Sequence, residues 1–170
     1  MTSDQRVTAA FIIIGNEILS GRTQDANLSF LAGRLGEIGI QVVEARVIPD
    51  VEQTIIDTVQ TLSAQVDYVF TSGGIGPTHD DITADAVAKA FGTETFEDPE
   101  AVALLEAHYA AGEFNAARRK MARVPRSSTL LANPVSTAPG FRIGNVHVLA
   151  GVPKIMQAMV DMLLPGLTGG

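Results

Sequence analysis

The sequence predicts an α/β fold on a mostly parallel sheet with an antiparallel edge hairpin. Three observations carry that prediction. Apolar runs of strand length alternate with stretches whose apolar residues recur at helical spacing. The connections between them are short, as parallel strands joined by covering helices require. Late in the chain, Gly144-Asn145 separates two apolar runs in the manner of a tight hairpin turn.

The elements follow in order. Val7 to Ile14 is a nearly continuous apolar run, the signature of a strand buried on both faces. Asp25 through Ile38 carries Leu28, Leu31, Leu35 and Ile38 as a helical stripe, and Gly39 stands where a C-cap is expected. Ile40 to Ile48 reads as a second strand, closed by Pro49-Asp50. Val51 to Leu62 repeats helical spacing through Val51, Ile55, Val59 and Leu62. Val66 to Thr71 is the third strand, and Ala84 to Phe91 the next helix. Pro99 to Ala111 is helical with Pro99 near its first turn, and Phe114 to Ala122 is a basic helix bearing Arg118, Arg119 and Lys120. Thr129 to Ala132 is a short strand, and Phe141 to Ile143 pairs with Val146 to Ala150 across the hairpin turn. Pro153 to Leu164 closes the chain as a helix, with Met156, Met159 and Met162 on a core or oligomer-facing stripe. With no repeat or low-complexity linker, residues 1–170 read as a single domain.

Composition bounds the function. Lys+Arg of 12 against Asp+Glu of 19 gives a formal charge of −7, which argues against non-specific nucleic-acid binding. Small anions remain open, because local N–H groups and a cation override net charge. Cysteine is absent, so disulfides, thiolate metal sites and cysteine nucleophiles are excluded. The polar start, Met1 to Arg6, is not followed by a signal-peptide pattern, and no apolar run approaches the about 20 residues that span a bilayer. A cytoplasmic protein without membrane partners is the expectation.

The chemistry concentrates in Thr71-Ser72-Gly73-Gly74-Ile75-Gly76-Pro77-Thr78-His79-Asp80-Asp81-Ile82-Thr83, which runs from the third strand to a helix. Glycines in such a turn let backbone N–H groups approach a phosphate closely, because no Cβ intervenes. Carboxylates beside a phosphate repel it unless they are protonated or a cation lies between. The run therefore predicts a phosphorylated ligand with a divalent metal. Ligands of open parallel sheets bind outside the carboxyl ends of the strands. Three other segments leave those ends: Gly15-Asn16-Glu17, Pro49-Asp50 and Ala150-Gly151-Val152-Pro153. Plainer roles stand beside each functional one. Asp50 and Asp81 are also placed to cap helices, Glu17 to complement a helix dipole, and Asn16 to make a turn. His79 alone of the three histidines sits in the candidate loop, and His147 reads as structural. The basic residues of 114–122 read as a solvated face or as a clamp on a second phosphate.

Gly15-Asn16-Glu17-Ile18-Leu19-Ser20-Gly21-Arg22, the 72–83 motif, Asn133-Pro134, Ala138-Pro139-Gly140-Phe141 and Gly151-Val152-Pro153 together resemble the molybdopterin-binding superfamily of MoaB, Mog and the CinA N-terminal domain. Pro77-Thr78-His79-Asp80 is most similar to the CinA-like branch. The resemblance implies a three-layer α/β/α sandwich, a homo-oligomer (trimer or dimer) and a pterin or nucleotide phosphate ligand. It implies one of three roles: hydrolysis of the pyrophosphate in ADP-ribose- or FAD-like dinucleotides, adenylylation of molybdopterin with Mg-ATP, or binding without chemistry. On the first, Asp50 and Asp81 are catalytic, and Asp50, Asp80 and Asp81 hold Mg²⁺, Co²⁺ or Ni²⁺. Gly15, Asn16, Glu17, Ser72, Gly73, Gly74, Gly76, Pro77, Thr78, Gly151, Val152, Pro153 and Arg119 contact the substrate. Lys154-Ile155 departs from the glutamate that CinA-like members carry after Gly-Val-Pro. The large C-terminal deamidase domain of CinA proteins is missing, so deamidation of nicotinamide nucleotides is not assigned, and the end at Gly169-Gly170 leads us to expect a longer parent.

Overall fold

The computed structural model describes residues 6–170. Met1 to Gln5, part of the polar start read above, lie outside the described residues.

A six-stranded sheet runs in the order β2-β1-β3-β8-β7-β6. Its strands are β1 (Val7–Ile14), β2 (Ile40–Ile48), β3 (Tyr68–Ser72), β6 (Thr129–Leu131), β7 (Gly140–Ile143) and β8 (Val146–Leu149). β1, β2, β3 and β8 are parallel, while β7 is antiparallel to both β6 and β8. The predicted hairpin is β7–β8, but it lies inside the sheet, because β6 pairs outside β7 and forms the edge. Its Asn145 does more than turn the chain: the side chain accepts from Ser63 Oγ and donates to the carbonyls of Ser63 and Val66.

The unbroken apolar run of β1 is explained by two cores. Ala10, Ile12 and Ile14 face one side, where α3 (Glu52–Ser63) and α4 (Thr83–Ala90) bring Ile55, Val59, Leu62, Ala86 and Val87. Ala9, Phe11 and Ile13 face the other, against Leu31 and Leu35 of α2 (Asn27–Glu37) and Met156, Met159 and Val160 of α7 (Pro153–Leu163). Each fully buried Val, Leu, Ile, Phe or Met side chain among these contributes about 1.5–3 kcal/mol relative to exposure. This is the three-layer sandwich. Met156 and Met159 are core, whereas Met162 is exposed.

Two predictions are corrected in detail, and one feature was not predicted. The helix read from Asp25 begins at Asn27, because the Asp25 carboxylate accepts from the N–H groups of Asn27 and Leu28 and so stands before the first turn. The basic helix of 114–122 is a single turn, α6 (Ala116–Arg119), followed by a 3-10 turn at Lys120–Ala122. A ribbon absent from the sequence reading is formed by β4 (Thr95–Glu97) and β5 (Arg123–Pro125), which pair antiparallel around α5 (Pro99–His108). Strands of three residues are too short for a period to be legible. α5 and the 3-10 turn build a small core of Ala101, Leu105 and Ala122, while the ribbon's Phe96 and Val124 pack into the core under α3 and α4.

Candidate functional site

The chain reverses direction across the sheet at β1, with β2 on one side and β3 on the other. That switch point, at the carboxyl ends of the strands, is where an open sheet leaves a crevice. The loop after β3 packs directly on the end of β1. A Cβ on Gly73 (φ +99°) would lie 2.2 Å from the Ile14 carbonyl oxygen, and one on Gly74 (φ +77°) 2.0 Å from Thr83 Oγ1. Only glycine satisfies both the left-handed backbone and the closeness. Thr83 then fastens the loop to the start of α4, donating Oγ1–H to the Gly73 carbonyl and N–H to that of Gly74. Among the described residues, the N–H groups of Gly74, Ile75 and Gly76 have no intramolecular acceptor. Consecutive free N–H groups on such a turn form a concave anion receptor.

The carboxylates are oriented by partners that the sequence did not disclose. Neither Asp50 nor Asp81 caps a helix: the N-cap residues of α3 and α4 are Val51 and Ile82, without side-chain caps. Asp81 instead turns back into its loop, where Oδ2 accepts from Thr78 N–H (2.9 Å) and Thr78 Oγ1 (2.8 Å). Asp50 sits at the apex of a γ-turn closed by Val51 N–H on the Pro49 carbonyl, and is paired with Asn16. Burial, and then the charges of Glu17, Asp81 and Asp80, raise the Asp50 carboxyl above its ordinary range. Asp80 itself points outward beside His79, 3.3 Å from Nε2, with both side chains largely exposed.

A metal held by Asp50, Asp80 and Asp81 together does not fit this arrangement. No group of three or more His, Asp or Glu side chains in ligating reach exists among the described residues. A cation with one or two carboxylate ligands and the rest from phosphate and water, the habit of Mg²⁺, needs no such cluster. Such a cation would relieve the repulsion felt at Asp50, with Asp81 as the carboxylate on the cleft wall.

Glu17, Gly73, Gly74, Gly76, Pro77, Asp81, Gly151, Val152 and Pro153 line one open cleft of about 460 Å³, within the about 300–1,000 Å³ common for small-molecule sites. Nine predicted contacts thus meet in one place. Gly15, Asn16, Ser72 and Thr78 do not line that cleft. Asp50 and Asp80 do not line the cleft either. Arg119 is a correction. Its guanidinium is held by Glu97 (3.0 and 3.1 Å) and lies over the Phe114 ring, so it ties α6 to β4 and does not face the cleft.

Sequence reasoning missed the opposite wall, formed by Asn133, Ser136 and Ala138 with Met121. Asn133 is buried, accepts from Val135 and Ser136 N–H, and donates to Ser136 Oγ and the Ala138 carbonyl. The signal was present in Asn133-Pro134 and Ala138-Pro139-Gly140, read above as motif without a role. The wall ends in a strained turn: Ala138 N–H bonds the Ser136 carbonyl across Thr137, whose φ is +73°.

Residues 10–169 match the family described as a probable molybdopterin binding domain. The chain belongs to that family. This molybdopterin-binding domain is CinA-like within it: it is 41% identical over 167 residues to a CinA-like protein of Citrifermentans bemidjiense, covering 94% of this chain and 40% of that one. It is 39% identical to a protein of Pyrobaculum calidifontis, covering 91% of this chain and 61% of that one. The domain therefore spans about two fifths to three fifths of these relatives' lengths. Among solved structures, CinA of Thermoplasma acidophilum, described as of unknown function, superposes with a TM-score of 0.87 at 36% identity, covering 95% of this chain and 99% of that one. MoaB of Thermus thermophilus, a molybdopterin biosynthesis enzyme, superposes with a TM-score of 0.63 at 18% identity, covering 95% and 91%, and shares the fold. No helix among the described residues is long and apolar enough to cross a membrane.

Proposed function

We propose that this domain hydrolyses the pyrophosphate linkage of ADP-ribose- or FAD-like dinucleotides with a divalent cation. The observation that carries the reading is the run of unbonded N–H groups at Gly74, Ile75 and Gly76 on a cleft that also holds Asp81. A pyrophosphate oxygen on those N–H groups satisfies them and sets the phosphorus toward Asp81. Thr78, through N–H and Oγ1, holds the Asp81 carboxylate in place on that wall. When bound, the cation lowers the pKa of water and offsets charge on the leaving phosphate. The Asn133–Ala138 wall and Met121 offer an apolar and amide-lined surface for the organic half of the substrate. A homo-oligomer in the cytoplasm goes with this reading.

The test is product analysis with ADP-ribose and FAD, with and without Mg²⁺, Co²⁺ or Ni²⁺. Metal-dependent release of AMP supports hydrolysis, and Asp81→Asn should then abolish turnover while the thermal transition stays in place. AMP transfer from ATP to molybdopterin, without AMP from either dinucleotide, replaces hydrolysis by adenylylation. Binding without either product leaves a pterin- or nucleotide-binding module.

A further inference from the structure

We infer that Lys120 is the cation that grips the substrate phosphate, carried to the glycine loop by the segment of residues 95–125. The inference rests on reading the 73–81 loop as a phosphate site, and it names the basic residue of that site.

Three basic side chains stand in a row at 118–120, and two are already committed. Arg118 donates to the Glu113 carbonyl and lies over the Tyr109 ring at 4.5 Å. Arg119 is held by Glu97. Lys120 alone reaches across, its ammonium donating to the Thr78 carbonyl. It borders the recess that Gly74, Ile75, Gly76 and Asp81 share with it. The other cation of that recess, Arg123, is engaged by the carbonyl and hydroxyl of Thr95. Among the described residues, no cation lines the larger cleft.

The placement is built into the fold. Ala122 is fully buried and Met121 packs with it against α5, so the backbone bearing Lys120 is fixed by its neighbours. The ribbon is in turn fixed to α4, where Thr95 Oγ1 donates to Asp85. The ammonium thus hangs from a rigid ledge over the loop that offers the free N–H groups. Thr78 is the shared node: its N–H and hydroxyl hold Asp81, and its carbonyl holds Lys120. A neutral carbonyl is a weaker partner for an ammonium than a phosphate oxygen is. Lys120 is therefore parked beside the anion site and transfers to the phosphate when one arrives. In a chain of net charge −7, with four carboxylates around the crevice, that cation supplies attraction the loop dipoles alone do not.

The experiment is calorimetric titration of the whole chain with inorganic pyrophosphate and with ADP-ribose, in Mg²⁺ and again in EDTA, across a salt series. The proteins are wild type, Lys120→Met, Lys120→Arg and Arg119→Met. Lys120→Met should weaken pyrophosphate binding about tenfold or more, the loss of one charge-assisted hydrogen bond. It should also flatten the salt dependence of Kd, and Lys120→Arg should restore most of both. Unchanged binding by Lys120→Met, or a larger loss in Arg119→Met, overturns the inference. A weakened Kd with an unchanged salt slope also overturns it, since Lys120 would then only position the loop. These titrations need no turnover. Loss of binding in Lys120→Met alongside a wild type that releases no AMP sustains Lys120 and sinks the hydrolase. A wild type that binds neither probe sinks both.

Discussion

Asn16 and Asp50 exchange two hydrogen bonds, Asn16 N–H to Asp50 Oδ2 and Asp50 N–H to Asn16 Oδ1, each 3.2 Å long. The pair ties the loop after β1 to the loop after β2, and it holds the Asp50 carboxylate away from the helix it was placed to cap. Stability and charge can be separated here. Asp50→Asn keeps an acceptor for Asn16 N–H and removes a repelled charge, so its urea midpoint should stay near wild type. Asn16→Ala frees the Asp50 N–H and should cost about 1 kcal/mol. Both should lower metal-dependent turnover, and a fully active Asp50→Asn would remove its charge from the mechanism.

Gly74 and Gly21 make a matched comparison of backbone strain. Both have positive φ, +77° and +80°, but a Cβ on Gly21 meets nothing within 4 Å, whereas one on Gly74 strikes Thr83. Gly21→Ala should cost about 1 kcal/mol from conformation alone. Gly74→Ala should cost more and abolish pyrophosphate binding, because the Thr83 staple must give way. Equal urea midpoints for the two variants would contradict the packing argument.

His147 makes stability depend on acid. It is buried, stacked on Phe70 at a centroid distance of 4.9 Å, and its Nδ1 has no partner among the described residues. Burial, with a contribution from the Arg142 charge opposite, lowers its pKa to about 4 from 6.5. A depressed folded-state pKa gives stability that is present above pH 6.5 and is lost as pH falls toward 4. The loss amounts to about 3 kcal/mol at most. Denaturation at pH 7 and pH 4.5 should reveal it, and His147→Phe should flatten the difference.

Thr137 stores strain on the cleft wall. Its hydroxyl and His108 Nδ1 are 3.1 Å apart in a shared hydrogen bond, which clamps the turn from outside. A non-glycine residue at positive φ costs about 1–2 kcal/mol. Thr137→Gly should therefore hold or raise the thermal midpoint while weakening ADP-ribose binding, as the wall loses its clamp. A destabilised variant with unchanged affinity would mean that the turn serves only the fold.

Much of this domain was legible in its sequence. The β1 run announced a strand covered on both faces, and the cores of Ala10, Ile12 and Ile14 and of Ala9, Phe11 and Ile13 are its cause. The glycine run between β3 and α4 announced close backbone approach, which the Ile14 carbonyl and Thr83 supply. These features are local: a period or a missing Cβ states its own requirement. Partner choice is different. Asp81 turned to Thr78, Asp50 to Asn16, Arg119 to Glu97 and Lys120 to the loop through contacts that depend on which elements the fold brings side by side. The short ribbon and the Asn133 wall were equally hidden, because three-residue strands show no period and an Asn-Pro turn reads alike wherever it lies. The sequence by itself determined the layers of the sandwich and the position of the phosphate loop, since both follow from burial and backbone sterics. Only the tertiary structure decided which charges face that loop, because a side chain's electrostatic partner is set by distance in space and not along the chain.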